Sequence, residues 1–284
     1  MRRRGMICFS LLAAVLCLTL IFQSFLDALA VAGNLSAGTV ESEAFRKQEI
    51  TLEAFAKAEE AAAELEEEVW EVLAVFLIVN RFSLDDAGRV RPEHYRRYRT
   101  VLERWKPEAL EAVTDALRAV WSDLRAMPVG NLENKVLDVA YEDGWMDARG
   151  DQGERRHEGT DLFCRESGRE TPAEGGIYPV VSMTDGYVEN IGWLNLGGWR
   201  IGVRSPSGGY FYYAHLSDYA RDFQQGEQIR AGELLGFMGD TGYGPEGTQG
   251  LFPVHLHLGI YFTSEEGKEI SVNPYPLLRI LDNA

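Results

Sequence analysis

At 284 residues the chain has room for one medium domain, a smaller companion and a tail. Its composition, 45% hydrophobic and 11% aromatic, is that of a folding chain and excludes disorder throughout. A formal net charge of −16 lacks the basic footprint that phosphate backbones require, which excludes nucleic acid as a partner.

The first element is an export leader. Arg2, Arg3 and Arg4 precede a run from Met6 to Phe22 without a single charge. A positive flank before such a run stays in the cytoplasm while the rest of the chain crosses the membrane. Residues 1–32 are read as a transmembrane anchor, because the stretch from Ile7 to Ala32 is long enough to span with Asp27 at the far interface. Cleavage at the small-x-small site Ala28-Leu29-Ala30 is the alternative, and would release a secreted protein. Either way the remainder is extracytoplasmic. Cys8 and Cys17 belong to the leader, which leaves Cys164 alone beyond it. No intrachain disulfide can form there, so the fold must rest on its core or on a metal.

Residues 41–127 carry helical periodicity. Leu65, Val69, Val72, Leu73 and Phe76 recur at the spacing of one helix face. Pro107 stands at a first-turn position before Leu110, Val113, Leu117, Val120, Trp121 and Leu124. Between them "RPEHYRRYRTVLERW" is a third helix, whose Arg96, Arg97 and Arg99 read as a solvated face, with binding of an anionic partner as the alternative. His94 opens that helix and receives no role. The helical module either sets the distance from the membrane or covers a site until a regulatory protein partner moves it.

Residues 128–150 read as a linker, and from Asp151 to the end the texture is β. "YPVVSMTDGYVENI" is a hairpin with Asp185-Gly186 at its bend, and "WRIGVRSPSGGYFYYAHL" is a longer pair. "VHLHLGIYF" is the last clear strand. Short strands with regular turn signals predict an antiparallel all-β sandwich or partly open barrel, so the whole is an α+β chain.

Four of the five histidines fall in this β part. Residues two apart on a strand share a face about 7 Å apart, so His255 and His257 point together while Leu256 and Leu258 go to the core. His215 lies in line with Phe211 and Tyr213, and "RRHEGTDL" offers His157 and Asp161. Imidazole nitrogen and carboxylate oxygen suit zinc, and a catalytic zinc site takes three protein ligands and keeps one position open. His157, Asp161 and one of His255 or His257 supply three. The remaining histidines can then carry protons or donate to an oxyanion.

The order "HEGTD", "YAHLS", "GDTG" and "HLH" over roughly residues 150 to 275 resembles the lysostaphin-type (LytM-like) zinc metallopeptidases, which cut peptide bonds in bacterial peptidoglycan. The resemblance implies His157, Asp161 and His257 as zinc ligands and His215 and His255 as the catalytic pair. It also implies an antiparallel sheet with the metal on the floor of a groove, and a peptidoglycan peptide as substrate. The stretch "YGPEGTQGLFPV" is longer than the family's compact loop and is expected to wall one side of that groove.

Two rival readings stand beside this one. The helical metalloprotease motif would make Glu158 a general base, but Asp161 holds the place of its second histidine and Gly159-Thr160 disfavours a helix. A catalytically silent wall-binding or scaffold protein fits the anchor and the helices, but has no use for His215 and His255. Cys164, three residues past Asp161, reads as a buried thiol.

Overall fold

A computed structural model describes residues 35–130, 137–149, 155–166 and 178–283, together with residues 11–19 and positions 22, 26 and 33. Residues 11–19 are helical and exposed (α1). The expected leader lies mostly outside the described residues, and no helix among those described is long and apolar enough to cross a membrane.

The helical part contains α2 (Glu43–Arg46), α3 (Leu52–Leu65), α4 (Val69–Val79), α5 (Pro92–Trp105) and α6 (Pro107–Trp121). Thr51 starts α3 by accepting a hydrogen bond from the Ala54 amide at 3.2 Å. Pro92 and Pro107 open α5 and α6, where a missing amide proton costs nothing. The periodicity from Leu65 to Phe76 does not belong to one helix. Glu66 adopts a left-handed conformation (φ 59°) and ends α3, so Leu65 and Val69 fall on different helices. Every residue from Val72 to Ile78 is buried, because α4 is apolar on all sides and runs between its neighbours. Arg99, read as part of a solvated face, instead joins α5 to α4 through Glu67 and Glu71 and pairs with Glu103 at 2.8 Å. A two-residue parallel bridge, β1 (Glu49–Ile50) with β2 (Ser83–Leu84), ties the start of α3 to the end of α4.

The remaining strands are β3 (Leu137–Tyr141), β4 (Ala148–Arg149), β5 (Arg155–Arg156), β6 (Thr160–Glu166), β7 (Pro179–Val181), β8 (Gly186–Leu194), β9 (Gly198–Arg204), β10 (Tyr210–Tyr219), β11 (Gln228–Ile229), β12 (Leu234–Met238), β13 (Leu256–Thr263) and β14 (Glu269–Val272). Ten of them form one antiparallel sheet with the path β11-β8-β9-β10-β13-β6-β3. β12 joins β10 to β7, and β14 pairs with β13. Among the described residues β4 and β5 pair only with each other, and α7 (Pro274–Leu281) follows β14.

One expectation is met in coarser form and one changes: the large sheet is antiparallel as expected, with helices packed beside it at β13 and β14. Residues 137–141, placed in a linker, are an edge strand in register with β6 from Leu137 opposite Glu166 to Tyr141 opposite Leu162. A single edge strand between polar stretches offers too short an alternation to be read from sequence.

One core runs through both parts. Phe45, 1% exposed, packs edge-on against Phe82 at 5.8 Å and against Phe262 of β13 at 5.9 Å. The Trp121 indole N–H donates to buried Gln48 at 2.8 Å. The Ser207 amide donates to Asp123 at 2.7 Å, where the β9–β10 turn meets the end of α6. A Cβ on Gly209 would stand 2.2 Å from the Ala119 carbonyl oxygen, so only glycine lets the turn lie this close to α6. Removing a buried phenylalanine costs about 3–5 kcal/mol. Phe45→Ala is therefore expected to lower chemical-denaturation stability by about that amount while far-UV circular dichroism and tryptophan emission still report one shared transition. Separate transitions for the two signals would mean that the helices and the sheet do not share a core.

Candidate active site

The register of three neighbouring strands builds the site. His257 of β13 lies directly opposite Asp161 of β6 on one side and Ala214 of β10 on the other. Leu256 and Leu258 are fully buried, so strand alternation turns His255 and His257 to the opposite, groove-facing side as the sequence predicts. His157 arrives from the short connection between β5 and β6. Its backbone is held at both ends, its amide donating to the Asp147 carbonyl at 3.0 Å and its carbonyl accepting from Met146 at 2.7 Å.

His215 reaches the groove by a different route from the one its spacing suggests. Phe211 and Tyr213 are fully buried, so simple alternation would bury His215 beside them. A bulge intervenes. Between Tyr213 and Leu216 the register against β9 slips, with Tyr213 opposite Ile201 and Leu216 opposite Trp199. His215 takes φ +61°, and its amide donates to the Gly197 carbonyl at 2.8 Å. Such a bulge re-aims a side chain across the sheet.

The atoms His157 Nε2, Asp161 Oδ1 and His257 Nδ1 are 3.0 Å from one another on all three sides. Protons cannot satisfy such a triangle, because each imidazole nitrogen has a single in-plane direction for a proton or a lone pair. One cation on which the three lone pairs converge does satisfy it. Ligands of a tetrahedral zinc with bonds near 2.1 Å lie roughly 3.4 Å apart, a few tenths wider than this triangle, so the donor set suits this metal in type and in approximate spacing. His157 Nδ1 is 2.9 Å from the Gly144 carbonyl, which takes its proton and leaves Nε2 with a lone pair. Arg149 Nη2 donates to the other carboxylate oxygen of Asp161 at 3.0 Å, which leaves Oδ1 for the triangle. Asp161 is held far below the usual carboxylate range. Burial alone would raise it, but hydrogen bonds to His157 and His257 prevail.

His255 and His215 stand beside the triangle, their rings 4.8 Å apart. His255 Nε2 lies 3.7 Å from Asp161 Oδ1, outside the three-way contact that His257 completes. Each ring is anchored through Nδ1, His215 to the Thr241 carbonyl at 2.7 Å and His255 to the Pro253 carbonyl at 2.7 Å. Burial, with His255 and His257 adding to it, pushes His215 down to about 3, and burial also lowers His255. Both are therefore neutral at pH 7, with an Nε2 lone pair available.

The groove over these residues encloses about 550 Å³. Tyr243, Phe252 and Pro253, from the long loop before "HLH", line one side of it, as expected. Trp193 and Trp199 secure the base of that loop. The Trp193 indole donates to the Gly244 carbonyl at 3.1 Å, and the Trp199 amide to Thr241 Oγ1 at 3.1 Å. Tyr212 faces the groove, while Phe211 and Tyr213 pack in the core. Glu158 turns to Arg46 of α2 at 2.9 Å, with no contact to the triangle, which removes it as a general base of the helical-motif kind. Cys164 is buried and free, its thiol pushed up to about 12 by burial and by Asp138. His94 stands edge-on to Tyr98 in the helical part, away from the groove.

Sequence reasoning gave no positioning role to Gly159 or Arg46. A Cβ on Gly159 would come within 2.5 Å of His257 Cε1 and of the Leu258 carbonyl oxygen. The glycine of "HEGTD" thus makes room for the ring of a ligand a hundred residues away. Arg46 reaches from the helical part to Glu158, next to His157, and also donates to the Ser271 carbonyl at 2.8 Å. Nothing in the local sequence around Arg46 announces this contact.

Residues 155–274 match the description "Peptidase family M23". The crystal structure of a Ruminococcus gnavus protein named lytM is 39% identical, covering 86% of this chain and 92% of that one with a TM-score of 0.68. The chain belongs to peptidase family M23. Two further relatives are an L-Ala–D-Glu endopeptidase of Bacillus subtilis (strain 168), 45% identical over 143 residues, and the glycyl-glycine endopeptidase ALE-1 of Staphylococcus capitis, 30% identical over 103. Those matches cover 50% and 36% of this chain but only 40% and 26% of the relatives' lengths. In this M23 chain the five groove residues named from sequence all meet at one place.

Gly159→Ala tests the local packing. It is expected to weaken zinc binding 10- to 100-fold in a chelator competition, as other supports of metal ligands do, with the far-UV spectrum kept. Zinc affinity equal to wild type would mean that the His257 ring is oriented by something else.

Proposed function

We propose that this protein is a zinc-dependent endopeptidase that hydrolyses peptide bonds in bacterial peptidoglycan, in the stem peptide or the cross-bridge. The observation that carries the proposal is the convergence of His157 Nε2, Asp161 Oδ1 and His257 Nδ1 beside two neutral, anchored histidines in one open groove. Family membership supports the reaction class. The names of the relatives support peptidoglycan peptides as the substrate.

His157, Asp161 and His257 would hold the zinc. Bound there, it supplies a Lewis acid for the peptide carbonyl and brings the pKa of a coordinated water to roughly 7. The chain's own residues do the rest. His255 and His215 each present Nε2 as a proton acceptor, since Nδ1 of both is committed to a backbone carbonyl. Once protonated, either imidazole donates from Nε2 to the developing oxyanion or to the leaving amine. Depressed basicity keeps both in the accepting form before attack. Tyr243 and Phe252 exclude water from one side of the groove.

The uncharged run behind Arg2–Arg4 supports placing this activity outside the cytoplasm, on a chain anchored in the membrane by its N-terminal helix. The shared core suggests that the helical module braces the peptidase part, rather than lifting away from it on demand.

Purified full-length protein incubated with peptidoglycan is expected to release new amino termini, and a chelator should abolish the release until zinc is restored. His215→Ala and His255→Ala should each lower turnover about 10²- to 10⁴-fold while one equivalent of zinc stays bound. His257→Ala and Asp161→Ala should lose the zinc as well. Unchanged turnover in His215→Ala would sink the role given to that residue. Lysis that ignores chelator would sink the metal.

A further inference from the structure

The groove is basic on one side, in a protein that is acidic as a whole. Lys and Arg number 28 against 44 Asp and Glu, yet the short β4–β5 pair lines the groove with Arg149, Arg155 and Arg156. Leu196, Tyr243, Phe252 and Pro253 add uncharged lining. Among the described lining residues the acidic ones are Glu158 and Asp161. Both are committed, Glu158 to Arg46 and Asp161 to the metal-binding triangle and Arg149.

The three guanidinium groups occupy different depths. Arg149 Nη2 is 3.0 Å from Asp161 Oδ2, within one hydrogen bond of the metal-binding set. Arg155 lies with its Cζ 5.4 Å from the centre of the Tyr243 ring and so touches the loop before "HLH". Arg156 is exposed at the rim, its Nη1 3.5 Å from the Met146 carbonyl. Asp151 and Glu154, between the two strands, lie outside the described residues. An extended peptide advances about 3.3 Å per residue, and Arg149, one hydrogen bond from Asp161, places the nearest guanidinium about that far from the metal-binding set.

We infer that Arg149, Arg155 and Arg156 form an anion subsite that selects peptides carrying a free carboxylate on the residue next to the scissile bond. Guanidinium pairs with carboxylate in a planar two-point contact. Aromatic walls lower the local dielectric and strengthen that pairing. A net negative chain repels an anionic substrate at long range, and a basic rim reverses the local field at the one place where the substrate must enter. Glycyl-glycine bridges offer no such carboxylate. The D-glutamyl residue of a stem peptide, linked through its side chain, does offer one. The inference rests on the peptidase reading of the groove and narrows its substrate class.

The test separates the two claims by measuring binding without turnover. Two L-alanyl-γ-D-glutamyl-L-lysine analogues, with the alanyl–glutamyl amide replaced by an uncleavable ketomethylene link, differ only in a free or amidated glutamyl α-carboxylate. Calorimetric titration into the full-length protein at low salt is expected to show about tenfold tighter binding of the free carboxylate. That gap should fall to twofold or less in an Arg155→Gln/Arg156→Gln double variant and should shrink in the wild type as salt rises. Equal binding of the two analogues, no detectable binding of either, or a preference that persists in the double variant and in Arg149→Gln overturns the subsite. Cleavage of the ordinary amide peptides, assayed separately, bears on the peptidase reading alone.

Discussion

Three lone pairs from distant parts of the chain must meet at one point, and the pairing of β13 with β6 is what allows it. His257 and Asp161 face each other as register partners, so hydrogen bonds between two backbones set their separation. A slip of one residue would send His257 into the core and bring a leucine to the groove. The buried Leu256 and Leu258 oppose such a slip, since their exposure would forfeit about 2 kcal/mol each. Packing on one face of the strand thereby holds chemistry on the other.

The second constraint is orientation. Each of the four groove histidines has one nitrogen placed toward the centre, but by different means. His157, His215 and His255 are tethered through Nδ1 to backbone carbonyls, which cannot titrate and hardly move. His257 uses Nδ1 inward, and its outer edge lies against the bare Cα of Gly159. Burial then discourages protonation of His215 and His255. The result is a cluster of neutral imidazoles next to a carboxylate that stays ionised, an electrostatic arrangement suited to a divalent cation.

The helical part contributes more than spacing. Its core is continuous with that of the sheet through Phe45, Trp121 and the close approach at Gly209. Arg46 extends this support to within one residue of His157. Helices from the same chain pack against the M23 sheet at β13 and β14, and the two cysteines among the described residues, Cys17 and Cys164, are free.

Much of the site was legible before the fold was known. The types and order of His157, Asp161, His215, His255 and His257 follow from their scarcity and from the motifs that contain them, and alternation alone puts His255 and His257 on one face. The helix start at Pro107 was legible too, because it depends on a residue and its nearest neighbours. Other features were not. The bulge at His215, the edge strand at 137–141 and the reach of Arg46 each depend on partners tens or hundreds of residues away. Sequence by itself determined which chemical groups are present and which local elements carry them, since propensity, capping and alternation act over a few residues. Only the tertiary structure decided which nitrogen of each histidine faces the metal position and which arginines border the groove, because those outcomes are settled by long-range register and packing.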